Sequence, residues 1–294
     1  MPAASRGTLY VVATPIGNLG DVTLRALDVL RSVAVVAAED TRITRRLFER
    51  HGIATPLAAY HARSAPARET ELLGRLEAGE DVALVTDAGT PLVSDPGEGL
   101  VAAWARAGGR VVPVPGASSV LAAVVASGVA GPRWSFEGFL PRSGRERRDR
   151  LRRIADDERG SVLFEAPTRL RATLADLAAA CGGDRPGAVC RELTKLHEQV
   201  VRATLAELEA AVASGDIPAR GEVVIVVGWQ AQAQAQAQAN AAGASTAGSL
   251  EAARAEVEAL VGSGVARGEA ARRVATSSGI PRRALYGAGA DRGG

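Results

Sequence analysis

The chain has 294 residues, enough for two ordinary domains, and a hydrophobic fraction of 47%, enough for a substantial core. Its 35 basic and 33 acidic residues leave a net charge of +2, so total charge alone does not mark a nucleic-acid binder. Two cysteines (Cys181, Cys190) and three histidines (His51, His61, His197) form neither a disulfide framework nor a set at metal-ligand spacing, and no metal site is expected.

The opening MPAASRG is short and polar, and the apolar run Leu9 to Ala13 behind it is far too brief for a signal sequence or a membrane span. A soluble, cytoplasmic protein is the expectation. Thr8 to Ala13 (TLYVVA) reads as a strand that ends in a Gly/Pro loop, Thr14 to Asp21. Asp21 or Thr23 then caps a helix with Leu24, Leu27 and Leu30 on one face. Val33 to Ala38 is a second strand, delivering Glu39, Asp40, Thr41 and Arg42 before a helix over Thr44 to Arg50. A polar segment around Tyr60 and His61 precedes a helix through Leu72, Leu73 and Leu76.

Val82 to Gly99 (VALVTDAGTPLVSDPGEG) is the most informative stretch: a buried-strand run, a long loop of Asp, Gly, Thr, Ser and Pro, then a helix. Gly89 lets a ligand approach the backbone, and Pro91 and Pro96 stiffen the path. A plain surface turn would have the same composition. Arg110 to Val114 is the next strand, followed by Pro115 to Ser119 and a small-residue helix over Val120 to Ser127. Strands alternating with helices predict a mostly parallel sheet, whose strand-tip loops share one edge, where ligands bind in open α/β sheets. No GxGxxG follows the first strand, which excludes a dinucleotide-type reading.

Gly131 to Phe139 breaks the pattern and reads as a domain junction. From Arg142 to Arg153 there are seven arginines against Glu146 and Asp149, either a solvated helix face or an arm that holds phosphates. A second α/β unit is expected after it: Ser161 to Glu165, a helix through Leu170, Leu174 and Leu177, Ala188 to Cys190, an extended Glu198 to Thr204, a helix through Leu205, Leu208 and Val212, and Gly221 to Val227. The Ala-Gln alternation from Gln230 to Ala239 and the AAGASTAG behind it read as a flexible linker. Leu250 to Val261 is helical. Gly268 to Ser277 and Pro281 to Tyr286 read as two short helices about a turn, a helix-turn-helix spacing that a plain helical cap would also give. The expected division is 1–131, 132–228, a linker over 229–248 and a helical extension over 249–294.

TPIGNLGD with the following TLRAL, then AEDTR, TDAGTPLVSDPG, PGASS, EGFLPR, FEAPTR and RELTK, occur in that order. Together they resemble the ribosomal RNA small subunit methyltransferase I family, 2′-O-methyltransferases within the tetrapyrrole methylase superfamily. The resemblance runs from about Leu9 to Gly228, and the tail resembles the small helical extension that some members carry. It implies two α/β domains of the tetrapyrrole methylase type with a cleft between them for S-adenosylmethionine. It also implies methyl transfer to the ribose 2′-hydroxyl of a cytidine in the decoding region of 16S rRNA within the small ribosomal subunit, and a homodimer.

By that similarity Asp87, Ala88, Gly89, Thr90 and Pro91, with Ser118 and Ser119, are expected to contact the cofactor. Phe164 and Glu165 face it from the second domain, with Arg191 and Glu192 as further candidates there. A 2′-hydroxyl is a poor nucleophile, and Glu39, Asp40 and Lys195 are the candidate bases. Asp40 and Arg42 could instead form a structural ion pair, and a lysine serves only if its pKa is depressed. Pro15, Ile16, Gly17 and Asn18 are expected on the substrate side. Arg142, Arg145, Arg147, Arg148 and their neighbours, with Arg42, Arg45 and Arg46, would meet RNA phosphates. A corrinoid or porphyrin methylase would be expected to want an apolar trough rather than clustered arginines, and a non-catalytic RNA-binding assembly factor would not need the intact glycines at 17, 89 and 116.

Overall fold

Five short apolar runs in the first half of the chain become five parallel strands. In the computed structural model, which describes residues 6–61, 65–230 and 250–285, these are β1 (Thr8–Val12), β2 (Val35–Ala38), β3 (Leu57–Ala59), β4 (Val82–Val85) and β5 (Arg110–Val114). Their order is β3-β2-β4-β1-β5, and every neighbouring pair is parallel. β2 and β4 are buried along their whole length, as expected of strands covered on both faces. Helices α1 (Leu24–Ser32) and α2 (Thr41–His51) cover one face, and α3 (Ala65–Glu77) and α4 (Glu98–Arg106) cover the other. Thr23, not Asp21, caps α1 by accepting the Ala26 N–H, and Asp40 caps α2 by accepting that of Arg42.

β3 is an addition to the sequence reading, which had only a polar segment there. Three residues give no readable alternation, but they pair with Val36 to Ala38, and the following Tyr60 is buried with its hydroxyl donating to Glu69 at 2.6 Å.

Helix α5 (Ser119–Ser127) leaves the first sheet and lies against the second. That sheet contains β6 (Trp134–Phe139), β7 (Gly160–Glu165), β8 (Pro186–Arg191), β9 (Gln199–Thr204) and β10 (Val223–Val227), in the order β6-β7-β10-β8-β9. Only β6 and β7 run parallel; the other neighbours are antiparallel. β6 occupies the segment read as a domain junction. Its register slips between Phe136 and Gly138, and Gly138 takes φ 61°, so the residues do not alternate cleanly. Helices α6 (Gly144–Asp156), α7 (Leu170–Cys181) and α8 (Leu205–Ser214) close the outer face over Leu151, Leu174, Leu208 and Ile225.

The basic run of the sequence is α6, and it is split between two environments. Arg147 turns inward: its Nε and Nη2 reach Asp176 Oδ2 at 2.9 and 2.7 Å, Nη2 reaches Thr173 Oγ1 at 3.0 Å, and Nη1 donates to the Pro141 carbonyl at 3.0 Å. Thr173 in turn donates to Glu165 Oε2 at 2.6 Å, so one chain of hydrogen bonds ties α6 to α7 beneath the tip of β7. Arg150 is taken up by Glu137. Arg142, Arg145 and Arg148 remain exposed. The expectation that Arg147 meets RNA is therefore corrected: its guanidinium is buried and committed within the fold.

The chain divides into one unit up to Gln232 and a second beyond it. Trp229 and Gln230, expected to begin the linker, belong to the first unit through bonds to the Val129 and Ala155 carbonyls. The rest of the expected linker, and Tyr286, lie outside the described residues. The second unit holds α9 (250–262), α10 (Arg267–Ser278) and α11 (Arg282–Leu285) around Ala253, Val257, Ala270, Val274 and Leu285. Among the described residues no helix is long and apolar enough to cross a membrane.

Because Arg147 satisfies buried partners, Arg147→Ala is expected to lower unfolding free energy by about 1–3 kcal/mol, the cost of stranding buried hydrogen-bonding groups. Arg148→Ala, at an exposed position, is expected to stay within about 0.5 kcal/mol. Urea denaturation of the two variants checks this; equal midpoints would return Arg147 to the exposed arm.

Candidate active site between the two sheets

The loops that leave β1, β4 and β5 are laced together at the carboxyl edge of the first sheet. Thr14 and Gly89 exchange both backbone hydrogen bonds, at 2.8 and 3.0 Å. Thr14 Oγ1 donates to the Thr86 carbonyl at 3.0 Å, and Thr90 Oγ1 donates to the Ala117 carbonyl at 3.3 Å. Gly89 sits at φ 85°, a conformation that side chains disfavour, with Ile16 Cγ2 only 3.3 Å from where a Cβ would be.

Four residues other than glycine have positive φ among those described: Leu92 (72°), Ser94 (68°), Glu192 (52°) and Thr194 (67°). They lie in two loops, one after β4 and one after β8. Such strain costs of order 1–3 kcal/mol per residue and gathers where function over-determines the backbone.

Between these loops is a cavity of about 410 Å³. Its first wall is Ile16, Ala88, Gly89, Thr90, Asp95, Ser118 and Ser119; its second is Phe139, Phe164, Glu165, Leu193, Glu222 and Val223. The Phe164 ring meets Phe136 edge-on at 4.9 Å and Phe139 at 5.5 Å, making one wall aromatic. Ser118 Oγ caps α5 by accepting the Leu121 N–H.

Seven of the expected contact residues line this cavity: Ala88, Gly89, Thr90, Ser118, Ser119, Phe164 and Glu165. Asp87 and Pro91 do not. Asp87 Oδ1 accepts the Asp40 N–H at 2.9 Å, tying the tips of β4 and β2, and its side chain borders a smaller recess with Pro15, Leu19 and Ile43. Burial raises the Asp87 pKa, against the effect of that N–H. Pro91 is buried under the loop. Glu165 is fully engaged: its carboxylate accepts the Ala166 N–H at 2.8 Å and the Thr173 hydroxyl, and Arg169 lies at 3.3 Å.

The three expected bases are placed differently from one another. Asp40 is clamped by Arg42, whose hydrogen bonds hold its carboxyl down at about 2, too weak a base for a hydroxyl. The structural ion pair is therefore what Asp40 and Arg42 form. Lys195 Nζ lies 2.9 Å from Glu192 Oε1 and 3.2 Å from Glu222 Oε2. Burial pulls its pKa down, but these two carboxylates outweigh burial and leave it raised, so it stands as a cation rather than a base. Its stem covers Gly17, where a Cβ would fall 2.4 Å from Lys195 Cγ. Glu39 accepts the Thr86 hydroxyl at 2.8 Å and lines neither cavity. Of the expected substrate side, Pro15 lines the recess, while Gly17 and Asn18 are exposed and Asn18 Oδ1 accepts the Gly20 N–H at 3.0 Å.

Sequence reasoning left Asp95, Phe139, Leu193 and Glu222 unassigned. Asp95 stands within TDAGTPLVSDPG, and its place in the cavity wall and its burial distinguish it from a loop aspartate. Burial raises its carboxyl to about 6, with Thr86 pulling the other way and Glu39 and Asp87 pushing further up.

A family model described as tetrapyrrole (corrin/porphyrin) methylases matches residues 8–209. The chain is 44% identical over 280 residues to the ribosomal RNA small subunit methyltransferase I of Synechocystis sp., covering 95% of this chain and 96% of that one. It is 51% identical over 228 residues to the protein of the same name from Pseudomonas aeruginosa, covering 77% and 81%. Among solved structures, a cobalt precorrin-4 methyltransferase superposes over 76% of this chain and 95% of its own, with a TM-score of 0.58 at 21% identity. A diphthine synthase does so over 76% and 89%, with a TM-score of 0.56 at 16% identity. Those two likenesses establish the fold, a parallel sheet and a mixed sheet. The family model and the near full-length relatives establish the rest: this chain belongs to the ribosomal RNA small subunit methyltransferase I family of the tetrapyrrole methylases.

Proposed function

We propose that the chain transfers a methyl group from S-adenosylmethionine to the ribose 2′-hydroxyl of a cytidine in the decoding region of 16S rRNA, acting in the cytoplasm on the small ribosomal subunit. The observation that carries this reading is the cavity between the sheets, in a chain whose near full-length relatives are named as small-subunit rRNA methyltransferases.

The residues present suit the cofactor. A cavity of about 410 Å³ is of the size that small ligands occupy. Phe164, Phe139 and Leu193 offer a flat apolar wall for an adenine. Gly89 and Thr90, with bare backbone at the opposite wall, leave room for the amino-acid end. When bound, the cofactor supplies a methyl already activated on a sulfonium. The task of this chain is then alignment and the exclusion of water. The laced loops after β1, β4 and β5 form one rigid wall, and the Lys195 stem over Gly17 joins the loop after β1 to the loop after β8.

For RNA, the exposed Arg142, Arg145 and Arg148 on and before α6 give a phosphate-binding edge. The target ribose has to be presented from an unpaired or distorted stretch. The same reading includes a homodimer: Leu121 and Val125, one turn apart on α5, are 54% and 83% exposed, an apolar stripe of the kind that a second copy covers.

Labelled methyl from S-adenosylmethionine is expected to reach purified small subunits lacking the modification and to make one ribose alkali-resistant; absence of label overturns the reading. Phe164→Ala is expected to weaken cofactor affinity about tenfold, as loss of a stacking partner does, measured by calorimetry. Replacing Arg142, Arg145 and Arg148 together by Ala is expected to weaken subunit binding and flatten its salt dependence by about one unit of slope per lost phosphate contact, with cofactor affinity unchanged. Sedimentation of the wild type as a dimer, and of Leu121→Glu as a monomer, checks the association.

A further inference from the structure

The smaller recess, of about 40 Å³, adjoins the cavity through the loops after β1 and β4. Pro15 lines the recess and Ile16 the cavity; Asp87 lines the recess and Ala88 the cavity. Thr14 on the recess and Gly89 on the cavity are joined by two backbone hydrogen bonds. A nucleotide whose ribose stands at the cavity therefore has its base within reach of the recess.

The polar side chains of the recess are Thr14, Thr44, Thr86 and Asp87, and they offer acceptors rather than donors. Thr14 Oγ1 gives its hydrogen to the Thr86 carbonyl at 3.0 Å, Thr44 Oγ1 to the Asp40 carbonyl at 3.4 Å, and Thr86 Oγ1 to Glu39 Oε2 at 2.8 Å. A hydroxyl has one hydrogen, so what these three keep is lone pairs. An ionised Asp87 only accepts. Its Oδ1 takes the Asp40 N–H at 2.9 Å, which leaves Oδ2 for a second donor. A group entering here is matched if it carries N–H and mismatched if it carries a carbonyl oxygen.

We propose that the recess receives the amino edge of the target base, and that Asp87, accepting from the exocyclic amino group, is the residue that tells cytosine from uracil. This rests on the RNA methyltransferase reading of the cavity beside it. The two pyrimidines have the same outline, and at that corner cytosine carries an amino donor where uracil carries a carbonyl acceptor. Cytosine meets the Asp87 carboxylate as a hydrogen-bond partner. Uracil sets an oxygen against a negative charge, with no threonine hydrogen left to relieve it, and specificity gains as much from that repulsion as from the match.

The surroundings of the recess suit a base entering edge first. A volume of about 40 Å³ takes one edge of a ring, not the whole of it. Leu19 and Ile43 at its lip are 39% and 41% exposed, apolar surface that the face of the ring covers. Arg45 and Arg46, on the helical turn that follows Ile43 in α2, are exposed and bring positive charge to the phosphates on either side. Reading a base by its pairing edge requires it to be unpaired, which is how single-stranded RNA is recognised by sequence.

The test uses the full chain, S-adenosylmethionine and small subunits lacking the modification, in two forms that carry cytidine or uridine at the methylated position. Single-turnover rates are read at saturating cofactor, and cofactor affinity by calorimetry. The unaltered chain is expected to methylate the cytidine form about 10- to 100-fold faster. In Asp87→Asn the side-chain oxygen stays on the Asp40 N–H and an amide NH2 replaces Oδ2. That variant is expected to lose about 10- to 100-fold on cytidine and to gain on uridine, so that the ratio falls to about one or inverts, with cofactor affinity within about threefold. Loss of packing would instead slow both forms alike and leave the ratio where it was. Ile43→Ser is expected to raise the subunit concentration for half-maximal rate equally on both forms; an unchanged concentration would overturn the placing of the base on that lip. Equal rates of the unaltered chain on the two forms, or an unmoved ratio in Asp87→Asn, would overturn the assignment and leave the methyltransferase reading standing. Methylation of neither form would overturn that reading, and this assignment with it.

Discussion

Helix α5 belongs by connection to the first sheet and by packing to the second. Val120 and Ala123 are buried together with Val162, Ala188, Cys190, Val224 and Val226 in one apolar cluster, and Arg202 from β9 donates to the Ser127 carbonyl at its far end, at 3.1 Å. Apolar burial is the dominant favourable term, and small side chains such as Ala123 allow the close approach that native packing density requires. The angle between the sheets, and so the width of the cavity, depends on this seam. The cavity is where the seam stops: Ser118 and Ser119 at the start of α5 stand at its rim.

Charge is handled in two ways around that rim. Most ionic groups are consumed in fixing the backbone. Asp40 holds Arg42 and the start of α2, Asp87 holds Asp40, Glu165 holds the turn after β7, and Arg147 holds α6 to α7. A smaller number keep free capacity, and these face either the cavity, as Asp95 does, or solvent, as Arg142 and Arg148 do. Residue type does not separate the two groups. Adjacent arginines at 147 and 148 divide between them.

That division also marks the limit of what the sequence could tell. The parallel sheet was legible because β1, β4 and β5 end in Gly/Pro loops, and the cavity-lining residues at 88–90, 118–119 and 164–165 were legible because they stand at strand tips. β3 and β6 were not, being respectively three residues long and bulged at Gly138, so neither shows a readable alternation. The antiparallel order of the second sheet is decided by long-range pairing of β10 between β7 and β8, which leaves no local trace. Lys195 looked like a base until Glu192 and Glu222 came beside it, and Asp95 looked like a turn residue although it stands in the cavity wall. For Lys195 the neighbour that the fold supplies is Glu222, just before β10, with β9 and α8 between the two in sequence.

The cavity joins side chains from Ile16 to Val224, nearly the full length of the first unit. Contacts so distant in sequence are slow to form, because the chain closure they require carries a large entropic cost before it is rewarded. The two sheets can each gather around their own apolar clusters, but the cavity exists only after they have docked. A molecule bound there touches both halves at once and recognises only the docked state. It thereby adds about 2.7 kcal/mol to the stability of that state at a concentration one hundred times its dissociation constant. A ligand held in this cavity is in this sense also a structural part of the fold, and the population of the docked state rises with the supply of that ligand.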